Sequence, residues 1–541
     1  MTRSTTAALL VALCACVFVQ AFFSMRQKSM THDELSYIPA GYSYVVTGDF
    51  RLNHEQPPLM KLLPGLGMLP LHPRLPLTDG SWTAAGPEDV NTQWDFGRAF
   101  FAGAKDVERL VLFARLPVVL VAMLLVVGVF LFARDLYGPE AGLLAGALCA
   151  FDPNILAHAR LATADVGLAC FTLLSVWAYR RLARGPTPGR LVATGALLGL
   201  ALLSKFSGVF LLALIPLWAL VLPLMPGAVT VPDSRWGRWT AHPVANRVAY
   251  SVALSAAVVV VAMLVVSLGY FAPGRVDLYL RDLQTVKGNA NAGFLTYFHG
   301  VFHQGRVPHY FVAAFLLKTP LALMLLLGIR GVTHVRHREE EASDRILLFA
   351  PVVIWFAIIS WKALQIGVRY LLPVYPFLFV WASGIVVSPS FARREVRLGV
   401  GALLVWLVAS SLAVYPNYLT YFNEVAGGPS HGIEWLDDSN LDWGQDLILL
   451  RRFLEDNGVT DAKITAMARY DPALYDVPGT ELPAHEAVAL LSNPNPPPGV
   501  YAVSVHLLNR AKLSRGLLVD PLRDLRPVAV LGHTIYVFDL R

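Results

Sequence analysis

The residues best suited to chemistry lie between Met30 and Leu63, in the stretch MTHDELSYIPAGYSYVVTGDFRLNHEQPPLMKLL. An adjacent acid pair, Asp33 and Glu34, follows closely on the apolar run Ala7 to Phe23, near enough to a bilayer surface to meet the head of a membrane-embedded substrate. Two neighbouring carboxylates cannot both ionise cheaply in a partly dry site. The pair therefore suggests a division of labour, one acting as general base while the other holds a hydroxyl or a cation. The bland alternative is an exposed acid pair in a loop. Farther on, His54-Glu55-Gln56-Pro57-Pro58 makes a rigid polar turn in which His54 can donate to a phosphate or sugar oxygen, although a lone His is as readily structural.

Other ionisable residues gather at the ends of apolar runs: Arg115, then Asp152, His158, Arg160 and Asp165, then Lys205, then Lys362 and Arg369. With Asp33, Glu34, His54, Glu55 and Lys61 they are expected to line one outward-facing cavity. Several cations and a few acids at one depth suit a lipid-linked phosphate, since Arg and Lys grip the phosphate and a carboxylate deprotonates an attacking hydroxyl. Snorkelling at the interface is the alternative for each cation.

Metal-ligand patterns are weak. His299 and His303 stand four apart without an adjacent Glu, and Cys14-Ala15-Cys16 has the wrong spacing for zinc. Asp438-Ser439-Asn440-Leu441-Asp442 opens like a calcium loop, but Trp443 stands where glycine is needed and no Glu follows at the twelfth position. No metal ligands are assigned, and the four cysteines, all in apolar segments, read as packing residues.

The elements that must position these residues follow from composition. With 541 residues, 55% hydrophobic and only 15% charged, and a mean hydropathy of +0.52, the chain reads as a mainly α, polytopic membrane protein. Candidate spans fall at about 7–23, 107–133, 141–152, 161–182, 191–205, 207–225, 248–270, 310–329, 346–361, 370–387 and 398–415, eleven in all. The first reads as an uncleaved helix. If Arg3 is cytoplasmic, alternation puts Arg134, the Arg180 to Arg190 cluster, Arg235 with Arg238 and Arg247, the loop 330–345 and Arg393 to Arg397 inside, as the positive-inside rule requires.

The loops 24–106 and 271–309 and the tail then lie outside. The tail from Pro416 holds 16 Asp and Glu against 10 Lys and Arg, so within a net charge of +6 the rest of the chain carries +12. The basic pI of 9.1 belongs to cytoplasmic loops and implies no nucleic acid. Domains are expected at 1–415, transmembrane, with the acids in its first outer loop 24–106, and at 416–541, a small extracytoplasmic α/β unit. Within the tail, helix-spaced leucines mark Asp446 to Asn457, and AKITAMARY, GVYAVSVHLL and the runs flanking Leu531-Gly532-His533 read as strands.

Several motifs carry a resemblance. THDELSY, EQPPLMK, ARLPVVLVAMLLVVGVFLFARDLYG with AGLLAGALCAFDPNILAHARLATADVGLACF, and GVRYLLPVYPFL resemble the lipid-carrier-dependent glycosyltransferases of the protein O-mannosyltransferase and aminoarabinose-transferase type, glycosyltransferase family 39-like. SNLDWGQDL in the tail resembles a stretch recurring in bacterial members. The resemblance implies a GT-C fold, a polyprenyl-phosphate-linked sugar as donor, an extracytoplasmic acceptor, contact with membrane lipid, and inversion at the anomeric carbon. It implies Asp33 as catalytic base and Glu34 as the neighbour that helps hold the acceptor. It further implies Arg115 at the donor phosphate, Asp165 as the acid heading the fourth span, and Arg369 within the RYLLP motif. One departure is Gln56, where mannosyltransferases have His and aminoarabinose transferases often Lys before the proline pair. His54 or Lys61 is then expected to take over phosphate binding. No cofactor is required by these residues, and members of the group differ in whether a divalent metal is seen.

The expected function is an integral membrane glycosyltransferase of the plasma (inner) membrane, N-terminus cytoplasmic, active site outside. A transporter or flippase of lipid-linked sugars would be expected to show internal repeats and midplane polar groups, neither of which the sequence has. A non-catalytic envelope sensor or assembly subunit would place its working part in the tail.

Overall fold

The computed structural model describes residues 1–86, 89, 91–232, 243–288, 295–336, 341–491, 493, 496–511 and 526–541. Arg235, Arg238 and part of the loop 330–345 lie outside the described residues. Among those described, six helices are long and apolar enough to cross a membrane: Arg3–Met25, Val107–Tyr137, Phe206–Leu224, Pro243–Gly269, Ala342–Lys362 and Arg394–Ala413. Tyr310–Lys318 and Leu321–His334 add a seventh crossing if taken together, bent by 106°. The remaining apolar runs form the shorter helices Pro139–Ala150, Pro188–Ser204 and Tyr375–Val387, and the helix Asp165–Arg184, which carries charges at both ends. The chain is a multi-pass membrane protein.

Local signals set the helix ends. Asp106 caps Val107–Tyr137 by accepting from the Arg109 backbone N–H, and Thr187 does the same for Arg190 at the head of Pro188–Ser204. At 31 residues the first of these is about 46 Å long, well beyond a hydrocarbon core of roughly 30 Å. Its length therefore leaves about 16 Å of helix beyond such a core. Close helix packing runs through glycine: a Cβ on Gly195 or Gly199 would fall 2.5 and 2.7 Å from Val261 and Val265 of Pro243–Gly269. The opposite face of that helix is apolar and exposed at Val260, Leu264 and Leu268, as contact with lipid tails demands.

The segment between the first two long helices includes two packed helices, Glu34–Thr47 and Leu59–Met68. They touch through glycine, since a Cβ on Gly41 would lie 1.8 Å from the Lys61 carbonyl oxygen. Gly48, at φ +72°, ends the first helix in a conformation that few other residues adopt.

The tail builds a five-stranded sheet in the order Gly479–Glu481, Ala462–Thr465, Val500–Ser504, Ile535–Asp539, Ala529–Leu531. The first three strands run parallel and the last two pair antiparallel, with Ile464 opposite Ala502 and Ala502 opposite Val537. The run expected as one strand, GVYAVSVHLL, turns helical after Ser504. There the Val505 N–H bonds to Thr534 oxygen, and a helix Val505–Ala511 follows. Helix Leu447–Asp456 sets Leu447, Leu450 and Leu454 into a core that also contains Met30, Leu35 and Ile38 of the acid-bearing loop. Loop and tail thus share one hydrophobic cluster.

Candidate active site

Asp33 stands at the turn into helix Glu34–Thr47, where its Oδ2 accepts from Arg369 Nη1 at 2.9 Å and Oδ1 lies 3.3 Å from His32 Nδ1. The side chains of Asp33 and Arg369 remain 20% and 11% exposed, so the pair opens to a cavity instead of closing on itself. Burial would push the Asp33 carboxyl up, but the Arg369 guanidinium and His32 outweigh it and hold it well below the usual carboxylate range.

The cavity, about 610 Å³, is lined by polar and apolar side chains together. The polar ones include Asp33, Glu55, Gln56, Asp165, Lys205, Lys362 and Arg369, and the apolar ones Phe206, Phe210, Leu283, Trp355 and Ile359. Asp165, heading its helix, accepts from Lys205 Nζ at 2.6 Å, which lies 4.7 Å from the Tyr370 ring centre. Gln56, the departure from His or Lys, is among the lining residues, while its Oε1 is buried and unbonded within the protein. Glu55 accepts from Gln93 at 2.8 Å, and burial raises its carboxyl above the ordinary value.

Seven expected residues are not among those lining this cavity: Asp152, His158 and Arg160, which are buried elsewhere in the protein, and Glu34, Arg115, Lys61 and His54. Glu34 is 0% exposed, and its two oxygens accept from Arg115 Nε and Nη2, Thr31 N and Oγ1, and Ala162 N at 2.6–2.9 Å. Arg115, 1% exposed, spends its other contacts on the carbonyls of Met25, Lys28 and Ser29. The two acids are therefore not a proton-sharing pair. Each has its own arginine, and both carboxyls are held low against the pull of burial. Lys61 donates to Tyr44 Oη, to Asn53 and to the Gln56 carbonyl. His54 turns to Asp282 at 2.9 Å and lines a separate cavity with Asp49, Arg51 and Arg281. Each of these four groups is held by a partner within the protein, which sequence spacing does not reveal.

The sequence reading passed over Ser36, Tyr37, Trp94 and Tyr370, all of which line the cavity. Tyr37 was legible in principle, standing one helical turn after Asp33 with its N–H on the Asp33 carbonyl. Trp94 had no local signal; it reaches the site by packing its ring 4.7 Å from that of His32. Among the described residues no three His, Cys, Asp or Glu side chains converge as a metal would require.

Residues 109–265 match the family model described as dolichyl-phosphate-mannose-protein mannosyltransferase. A comparison with curated protein sequences returns no match. Among solved structures, the chain is similar to ArnT from Cupriavidus metallidurans in the apo state, at 15% identity, 98% coverage of each chain and a TM-score of 0.48. It is similar to the archaeal oligosaccharyltransferase AglB from Archaeoglobus fulgidus, at 13% identity, over 92% of this chain and 69% of that one, TM-score 0.45. It is also similar to the S. cerevisiae Pmt1-Pmt2 complex, at 16% identity, over 56% and 39%, TM-score 0.36. At such values no residue role passes from those structures to this chain. The family match is different in kind, because it spans the ARLPVV and ATADVG motifs themselves. Across that stretch the chain is similar to the family so described, and the resemblance to glycosyltransferases of the protein O-mannosyltransferase type read from its motifs is borne out.

Proposed function

We propose that the protein transfers a monosaccharide from a polyprenyl phosphate to a hydroxyl-bearing acceptor on the outer face of the membrane, with inversion. The observation that carries this reading is the Asp33–Arg369 pair in a cavity lined by both charged and apolar side chains. An amphipathic donor needs such a site: its lipid lies along Phe210, Trp355 and Ile359 while its phosphate meets Lys205, Lys362 and Arg369.

The acceptor hydroxyl attacks the anomeric carbon as the bond to the phosphate oxygen breaks. The proton passes to Asp33, and the electron pair leaves on the polyprenyl phosphate, whose charge the cations stabilise. A carboxylate held low is always ionised but only weakly basic. It suits a transition state in which the sugar carries oxocarbenium character and the hydroxyl proton is already acidified. Glu34 and Arg115, saturated by each other, position Asp33 instead of touching substrate. The transmembrane unit 1–415 holds the donor, and the unit 416–541 stands outside as a lid and brace. The basic loops expected at the cytoplasmic side support this orientation.

Mass spectrometry of outer-face glycans and glycoproteins, in cells with and without the gene, tests the reading. A glycan lost on deletion should return with the wild-type gene and not with Asp33→Asn expressed at equal level. Its return with that variant would refute the assignment.

A further inference from the structure

The sequence SNLDWGQD, 439–446, lies some four hundred residues from the catalytic loop, yet it is bonded to the residues just before both members of the proposed active pair. On one side the His32 N–H donates to the Trp443 carbonyl at 2.8 Å, and Ser29 N–H to the Gln445 carbonyl at 2.9 Å. Ser29 Oγ donates to the Gly444 carbonyl at 2.9 Å, and Lys28 pairs with Asp446. On the other side the Val368 N–H donates to Asn440 Oδ1 at 2.8 Å, and Ser439 Oγ donates to the Ile366 carbonyl at 2.7 Å. His32 and Val368 are the residues immediately before Asp33 and Arg369. The segment thus grips each member of the pair one residue upstream.

Trp443 adds a contact to the reacting groups' own neighbour. Its ring, 2% exposed, lies 4.4 Å from the Arg369 guanidinium carbon. Arg369 has Nη1 on Asp33, while its Nε is buried and unbonded within the protein. A guanidinium held by one ion pair can rotate about that bond, whereas a second hold on its π face fixes the plane. The segment is itself rigid: Trp443 N–H donates to Gln445 Oε1 at 2.7 Å, Gln445 Nε2 to the Leu441 carbonyl at 2.9 Å, and Asn440 Nδ2 to Tyr310 Oη at 2.9 Å.

We infer that the 439–446 segment is the brace that registers Asp33 against Arg369, and that Trp443 is a positioning residue which fixes the plane of the Arg369 guanidinium. This rests on the reading of Asp33 and Arg369 as the reacting pair. It gives the tail a part in transfer, because the brace continues into the sheet through Asp442 with Ser504 and Asp446 with Thr534.

The test compares Trp443→Phe and Trp443→Leu with the full-length wild type in lipid nanodiscs. It uses a polyprenyl-phosphate monosaccharide as donor and follows kcat, KM, thermal unfolding and the pH–rate profile. Asp33 is faced by His32, Arg369, Tyr37 and Glu55, with Asp165 acting on it through Arg369. Of these only Arg369 is released by the Leu variant, so the acid limb should move to higher pH as Asp33 loses its partner. In Trp443→Leu kcat should fall about 100-fold with donor KM changed far less, as expected for a misplacement of about 1 Å. Trp443→Phe, which keeps an aromatic face, should recover most of that loss.

A Leu variant with wild-type kcat and an unmoved acid limb would overturn the proposal. So would activity lost only in proportion to folded protein. Should Trp443→Leu not fold, Asn440→Ala against Asn440→Asp decides the matter. Asp keeps the acceptor for Val368 and should restore kcat, and equal activity in the two variants counts against the brace. A wild type that transfers nothing refutes the function proposed above and not the brace.

Discussion

Two acids adjacent in sequence, each with an arginine far along the chain, end in opposite states. Glu34 and Arg115 meet through two hydrogen bonds, and every remaining contact of the pair is with backbone or with Thr31. Asp33 and Arg369 meet through one, beside open space. A buried ion pair whose polar atoms are all satisfied can only stabilise or, if broken, destabilise. One whose atoms still face a cavity has capacity left for a ligand. The helix start explains the split: with the chain turning into Glu34–Thr47, consecutive side chains point about 100° apart, so one acid enters the protein and the other the cavity.

Breaking the closed pair should have the largest effect. Arg115→Met leaves the Glu34 carboxylate buried with an uncompensated charge, and about 3–5 kcal/mol of stability should go. The measurement is unfolding in detergent, with folded yield as a second readout, and both should collapse together. A variant that folds normally would show that Glu34 finds another cation.

Asp33→Asn should separate chemistry from stability. Transfer should drop by roughly 10²–10⁴-fold, the usual contribution of a general base, while the unfolding temperature stays near that of the wild type. Loss of folding in this variant would erase the distinction between the two pairs.

Arg369→Lys sharpens the comparison through pH. The Asp33 carboxyl is held low chiefly because Arg369 overcomes the effect of burial, so its base form is lost only when the pH falls through that lowered value. A shorter, more mobile ammonium holds it less firmly, protonation begins at a higher pH, and the acid limb of transfer shifts upward. Activity at neutral pH should fall about tenfold through the lost phosphate contact. An acid limb that stays in place would mean that His32 sets the Asp33 carboxyl.

The smallest effect is expected at Gln56→Leu. Gln56 lines the cavity, so a donor hydroxyl or a water-bridged phosphate should engage its amide. Donor KM should rise by a few-fold, in line with about 1 kcal/mol for a neutral hydrogen bond, and kcat should hardly change. A larger loss in kcat would place Gln56 at the reacting centre.

Much of this was legible without coordinates. The THDELSY motif marked Asp33, the RYLLP motif marked Arg369, and both line one cavity with Asp165 and Gln56. The leucine spacing in the tail foretold helix Leu447–Asp456, because amphipathic periodicity is a local property. What failed was the inference from charge and depth to a shared cavity. His54, Lys61, Glu34 and Arg115 have the right type and nearly the right place, yet each turns to a partner supplied from elsewhere: Asp282, Asn53, or each other. The eleven apolar runs were real as hydropathy, but among the described residues length and charge separate six long apolar helices and one bent pair from the shorter helices and from the charged helix Asp165–Arg184.

By itself, then, the sequence determined that the chain enters the membrane many times, which loop carries the acids, and which family pattern covers residues 109–265. These depend on apolar length and on short motifs, both of which are written along the chain. Tertiary structure decided which acid faces the cavity, which arginine is spent on structure, and why a tryptophan near residue 440 lies against an arginine near 370. Those outcomes depend on hydrogen bonds between segments up to four hundred residues apart, and no local pattern encodes the partner that a buried charge will find.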